Sequence, residues 1–259
     1  MGILNVTPDS FSDGGKHAEC DAAIAHGRRM IDEGVDVIDV GGESTRPGSQ
    51  PVPAGDQIRR TIPVITALRR MWHGPISIDT TRADVAEAAL DAGASWVNDI
   101  SAMRDDDRMF GIVARAGCPV VLMHMQGMPS TMQESPAYVD VVAETITFLT
   151  QRAQFAEQNG VARENIVIDP GIGFGKKLEH NLVLIRRLPE IVALGYYVLV
   201  GLSRKSFIGN LTGAAVNERL AGSLAAALRA VDAGAAILRV HEVGPTRQAL
   251  TIAQAISES

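Results

Sequence analysis

Four stretches of the chain, "DEGVDVIDV" (32–40), "DAGASWVND" (91–99), "RAGCPVVLM" (115–123) and "DAGAAILRV" (232–240), repeat one order of residue types. Each has the end of an amphipathic helix, a glycine, and then a short aliphatic run. Glycine just past a helix takes the left-handed cap, and the β-branched run behind it reads as a buried strand. Adding "MGILNV", "GPISIDT", "NIVIDP" and "YYVLVGLS" gives eight strands, beginning near residues 1, 35, 75, 95, 119, 165, 196 and 235. Helical periodicity fills the gaps, as in "AAIAHGRRMIDEG", "DQIRRTIPVITALRRM", "RADVAEAALDAG", "HNLVLIRRLPEIVALG" and "NERLAGSLAAALRAVDAG". Strands apolar on both faces that alternate strictly with helices predict a parallel sheet under helices, in the α/β class. Eight such units in 259 residues predict a single (β/α)8 TIM barrel domain over 1–259, without a linker or second domain.

Connections after the first two strands, "TPDSFSDGGKHAE" and "GGESTRPGSQPVPAG", are far longer than the helix-to-strand joints. Loops of that length are usually lids or binding loops, and both belong to the face where barrel active sites sit. At that face the strands end in Asn5, Asp39, Asp79, Asn98 with Asp99, His124, Asp169, Ser203, and Arg239 with His241. One polar strand end reads as a helix cap or a satisfied turn. Eight around one rim read as a polar pocket, because buried charges need partners or a ligand.

A carboxylate accepts two adjacent N–H donors of an amino-pyrimidinone ring in fork geometry, so Asp79 and Asp169 with Asn98 fit a flat heterocycle. Asp39 reads equally as a structural partner for loop groups. Arg46, Arg204, Lys205, Arg239 and His241 are the rim cations, and the last four fall where barrels bind phosphate. Arg239 and His241, two apart on an extended segment, project to one side and fit one anion, or else a rim salt bridge. His124, in "LMHMQGMP", reads as a packed rim histidine or a ligand contact. No His-Glu-x-x-His or cysteine cluster gives a zinc site, whereas Mg²⁺ beside a phosphate needs only one or two protein oxygens, of which Asn5 offers one. Ser203 has no elbow motif or evident base for covalent chemistry.

Net charge of −6 argues against a nucleic-acid surface and confines any anion site to a few cations. Two cysteines, Cys20 and Cys118, make no disulfide framework, and charges interrupt every long apolar run, so a soluble cytoplasmic protein is expected. The segment "DPGIGFGK" (169–176) fails as a nucleotide loop, because Pro170 stands where the first Walker glycine belongs and Lys177 follows Lys176. Its glycines fail the dinucleotide spacing as well.

Taken together, "MGILNVTPDSFSDGG", "IDVGGESTRPG", "IDTTRADV", "WVNDIS", "LMHMQGMPSTMQ", "DPGIGFGKKLEHN", "VGLSRKSFIG" and "ILRVHEV" resemble the bacterial dihydropteroate synthases over essentially the whole chain. The resemblance implies a (β/α)8 barrel, usually a homodimer. It implies condensation of 7,8-dihydropterin-6-ylmethyl diphosphate with 4-aminobenzoate, release of pyrophosphate, and inhibition by sulfonamides. By position, Asp79, Asn98, Asp169 and Lys205 become the pterin set. Asn5, Arg239 and His241 take the diphosphate with Mg²⁺, and Thr45 and Arg46 belong to the mobile second loop. Phe174, Lys205 and Ser206 border the aminobenzoate pocket, and Lys205, Arg239, His241 and Arg46 are the implied catalytic group. The family's usual hairpin ahead of "MGILNVTP" is not in this sequence, so either the start is assigned late or the barrel is expected to lack that plug. Two other readings are a methyltetrahydrofolate methyltransferase, which needs no diphosphate grip, and a non-catalytic pterin-binding barrel.

Overall fold

A computed structural model describes residues 1–7, 16–44, 49 and 51–259. Its eight parallel strands are β1 (Gly2–Asn5), β2 (Ile38–Gly41), β3 (Ile76–Asp79), β4 (Trp96–Asp99), β5 (Val120–Met123), β6 (Ile166–Asp169), β7 (Tyr197–Val200) and β8 (Ile237–Leu238). They pair in sequence order, and Gly2 bridges Val240 in parallel. Ile3 N donates to Val240 O and Val240 N to Met1 O, each at 2.9 Å, so the last strand returns to the first in a TIM-barrel-like fold. The helices that cover it are α1 (Lys16–Asp32), α2 (Ala54–Met71), α3 (Ala83–Asp91), α4 (Arg108–Ala116), α5 (Val141–Gln158), α6 (Leu178–Arg186), α7 (Leu188–Val192), α8 (Ser206–Thr212), α9 (Leu220–Asp232) and α10 (Val243–Ser257). The joint glycines Gly34, Gly93, Gly117 and Gly234 all have positive φ, as the repeated phrase requires. "HNLVLIRRLPEIVALG" is two helices, because Pro189 lacks the N–H that a continuous ladder needs and sits in the first turn of α7.

Successive strand residues point to opposite faces. Leu4, Ile38, Val40, Ile76, Ile78, Val97, Val120, Leu122, Ile166 and Ile168 join the core under the helices. On the opposite face Met1, Val37, Val121, Val167 and Leu199 form a second apolar layer with Trp96 and Ile237. Two residues further along the same face come Asp39, Asn98, Asp169 and Arg239. The expectation of apolar strands on both faces therefore holds for the outer face and for the lower inner layer only. The upper inner layer is polar, and its register is fixed: Asn5 pairs with Gly41, Gly41 with Asp79, and Asp79 with Asn98.

Candidate active site

Three acids and one guanidinium occupy the upper barrel. Arg239 donates from Nε to Asp39 Oδ2 at 2.7 Å and from its Nη2 to Asp79 Oδ2 at 2.6 Å. Asn98 Nδ2 donates to the same Asp39 oxygen at 3.0 Å. Asp39 is wholly buried, and its Oδ1 has no hydrogen-bond partner among the described residues. Sequence reading left Asp39 open. Its geometry makes it the common support of Arg239 and Asn98, on which both converge. Burial raises the pKa of Asp79, and the neighbouring Arg239 opposes that shift. Asp169, at the end of β6, is also raised by burial, while its Oδ1 accepts from Gly171 N at 2.7 Å.

Lys205 sits opposite Asp169. Burial lowers its ammonium to about 8, with Asp169 pulling the other way, and its Nζ lies 4.2 Å from the centre of the Phe174 ring. Such a cation over an aromatic face is attracted by the ring quadrupole. The turn that delivers Lys205 is strained: Arg204 has φ 58° although it is not glycine. Three contacts hold it there. Arg204 N donates to Ser223 Oγ at 3.0 Å, Arg219 donates to Arg204 O at 3.0 Å, and the Arg204 guanidinium pairs with Glu242. Ser206 opens α8 and is exposed. His241 Nδ1 lies 2.9 Å from Ser203 Oγ, which also donates to Glu242 Oε2 at 3.2 Å.

Glycine density in "DPGIGFGK" follows from crowding against the preceding β5 loop. At Gly171, with φ 66°, a Cβ would fall 2.0 Å from His124 O. At Gly175 it would fall 2.4 Å from Gln126 O. Side chains then fasten the loop from outside: Gln133 Nε2 donates to Gly173 O at 2.7 Å and Tyr138 OH to Gly175 O at 2.8 Å. His124 is a packing residue, its ring edge-on to Phe148 at 5.0 Å, and burial pushes its pKa down to about 2, so the imidazole is neutral.

The family model described as "Pterin binding enzyme" matches residues 1–241. The chain belongs to that family. Dihydropteroate synthase of Synechocystis is 46% identical over 257 residues, covering 99% of this chain and 89% of that protein. In three dimensions the chain superposes on Xanthomonas albilineans dihydropteroate synthase with 4-aminobenzoic acid at TM-score 0.95 and 48% identity, covering 100% of this chain and 93% of the other. The Yersinia pestis dihydropteroate synthase with a sulfonamide drug gives TM-score 0.94 and 42% identity, covering 100% and 94%. The resemblance to bacterial dihydropteroate synthases thus spans the chain.

In this pterin binding enzyme Asp79, Asn98 and Arg239 share one hydrogen-bonded cluster through Asp39, Lys205 lies over Phe174 and within the field of Asp169, and Ser203 and His241 form a separate contact. Asn5 stands at the register level of Asp79, separated from it by Gly41. Thr45 and Arg46 lie outside the described residues. Sequence reading missed the apolar patch of Ile100, Met123, Met125 and Met132, against which Phe174 packs. Met123 was legible, since it follows the inward Val121 by two positions. Asp99 takes no part in the mouth. It accepts from Ser101 N, Ser101 Oγ and Met103 N at 2.8, 2.7 and 3.1 Å, and burial raises it to about 6.

Proposed function

We propose that this enzyme joins 7,8-dihydropterin-6-ylmethyl diphosphate to 4-aminobenzoate and releases pyrophosphate, as a transferase of folate synthesis. The observation that carries the reading is the inward ring of Asp79, Asn98 and Asp169, with Arg239 and Lys205 among them. Asp169 and Asp79 accept ring N–H groups, Asn98 completes the polar edge, and Lys205 faces the ring from the Phe174 side. Arg239 neutralises Asp39 and Asp79 and turns its remaining edge, with His241, towards the diphosphate.

An arylamine is neutral near physiological pH, so its nitrogen needs no strong base, and leaving-group departure is the difficult step. The substitution is dissociative: Arg239 and His241 stabilise departing pyrophosphate while the electron-rich dihydropterin carries positive charge. Phe174, Lys205 and Ser206 border the aminobenzoate, where sulfonamides compete. Thr45 and Arg46, on the second loop, exclude water and hold the amine close.

The residues fit Mg²⁺. The Asn5 side chain has no hydrogen-bond partner among the described residues, and a Cβ at Gly41 would fill the space 3.5 Å from Asn5 Oδ1 and 3.8 Å from Asp79 Oδ2. Asn5 would supply one oxygen to an ion that neutralises diphosphate charge.

Pyrophosphate release, measured with the pterin diphosphate and with or without 4-aminobenzoate, tests the reading. Release that depends on the amine is the expected result. Pterin binding without release would indicate a non-catalytic barrel, and methyl transfer from a methylated folate would indicate the methyltransferase reading, for which no observation here speaks.

The enzyme works as a homodimer in the cytoplasm. A groove of about 630 Å³ between α9 and α10 is lined by Leu220, Leu224, Leu228, Ile252 and Ile256, and Ile252 and Ile256 are 58% and 70% exposed. Exposed apolar patches of this kind mark protein interfaces, and a second copy offers the same face in return. Ile256→Asp is expected to convert the dimer to monomer in sedimentation, and an unchanged mass would move the interface elsewhere. No helix among the described residues is long and apolar enough to cross a membrane, and both cysteines are free thiols.

A further inference from the structure

Lys176 closes "DPGIGFGK", yet the proposed reaction leaves it unused. It is only 3% exposed. Its Nζ donates to Gly171 O and Phe174 O at 3.0 Å each and to His124 O at 3.3 Å, and lies 2.9 Å from His124 Nδ1. No carboxylate pairs with it among the described residues. A buried charge without a counter-charge is costly unless acceptors replace its lost water. Three of the partners are carbonyl oxygens that each accept a proton from the amine, while burial lowers the Lys176 pKa to about 7 and Asp169 pulls the other way.

These partners join what the sequence separates. His124 ends the β5 segment, Gly171 begins the β6–α6 loop, and Phe174 is its tip. The ring of Phe174 carries Lys205, and its backbone carbonyl is held by Lys176. We propose that Lys176 is a positioning residue, an internal hydrogen-bond donor about which the β6–α6 loop is wound so that Phe174 presents its ring to the second substrate. The inference rests on the reading of Phe174 as a wall of the aminobenzoate pocket. Asp169 is fixed by its place at the end of β6, so the pterin side depends on Lys176 less.

The test compares Lys176→Met with Phe174→Ala in steady-state kinetics on both substrates. Lys176→Met, similar in length but uncharged, is expected to raise KM for 4-aminobenzoate about tenfold and to leave KM for the pterin diphosphate within about twofold, as small misplacements at a site weigh heavily on the group misplaced. Equal rises in both constants, or no rise in either, would overturn the positioning role, since general loosening has no preference between substrates. An unchanged aminobenzoate KM in Phe174→Ala would instead remove the pocket reading itself. Should Lys176→Met not fold, His124→Phe carries the test: it keeps the ring against Phe148 but deletes the Nδ1 contact with Lys176. A rise of about threefold in aminobenzoate KM alone is then expected, and unchanged constants would overturn the inference.

Discussion

Asp169→Asn is expected to lower kcat/KM for the pterin diphosphate by about a hundredfold to ten-thousandfold while leaving the fold intact. A carboxylate that accepts two ring N–H groups makes two charge-assisted bonds of about 1.5 to 3 kcal/mol each, and every 1.36 kcal/mol is a factor of ten. Asparagine has the same shape, and its Oδ1 continues to accept from Gly171 N, the contact Asp169 makes at 2.7 Å. Its amide, however, turns a donor towards donors at the second position. The loss therefore falls on the ligand and not on the turn. Calorimetry with the pterin and a thermal melt of the same preparation separate the two. Pterin affinity within about threefold of the parent, on a protein that melts normally, would remove Asp169 from the site.

How far the sequence reaches is clear from single elements. Strands expected from residues 75, 95, 119, 165 and 196 begin at Ile76, Trp96, Val120, Ile166 and Tyr197, because a glycine, a proline or, before Ile166, the turn Arg163–Asn165 marks a joint whose geometry is local. The second strand was placed from residue 35 but begins at Ile38. Val35 to Val37 have strand-like residues, yet β2 pairs with its neighbours only from Ile38, and pairing is not written in local composition. The acids of the rim were legible for a geometric reason: alternation along eight strands forces every second residue inward. Which acid meets which cation was not. Arg239 and His241 were read as one anion grip, and the structure gives them separate partners, Asp39 and Asp79 for one and Ser203 for the other. Asp39 lies 200 positions from Arg239, and only the closing of β8 onto β1 brings β2 within one strand of it. The inward course of Lys176 was likewise hidden, since it depends on left-handed turns at Gly171, Gly173 and Gly175 and on carbonyls supplied by the β5 segment.

Arg239→Ala is expected to cost roughly 3 to 5 kcal/mol of stability as well as turnover, because it strips two buried carboxylates of their shared cation. Asp39 is wholly buried and Asp79 is 8% exposed, so water cannot replace the guanidinium at both. For a domain of this size the melting temperature should fall by roughly 10 °C. The pH dependence has a definite sign. Burial holds the pKa of Asp79 above its unfolded value, so across that window the folded state binds more protons, and stability from this group declines as pH rises. Removing Arg239 takes away the force that opposes the shift, and the window widens. The deficit between parent and variant is therefore expected to be larger at about pH 8 than at about pH 5, where Asp79 can fold protonated. A deficit that does not change with pH would mean that lost packing, and not the pairing of charge, explains the variant. Pyrophosphate release at saturating Mg²⁺ then reads the second role: a rate equal to the parent's would leave Arg239 as a counter-ion for Asp39 and Asp79 and transfer the diphosphate to His241 and the second loop.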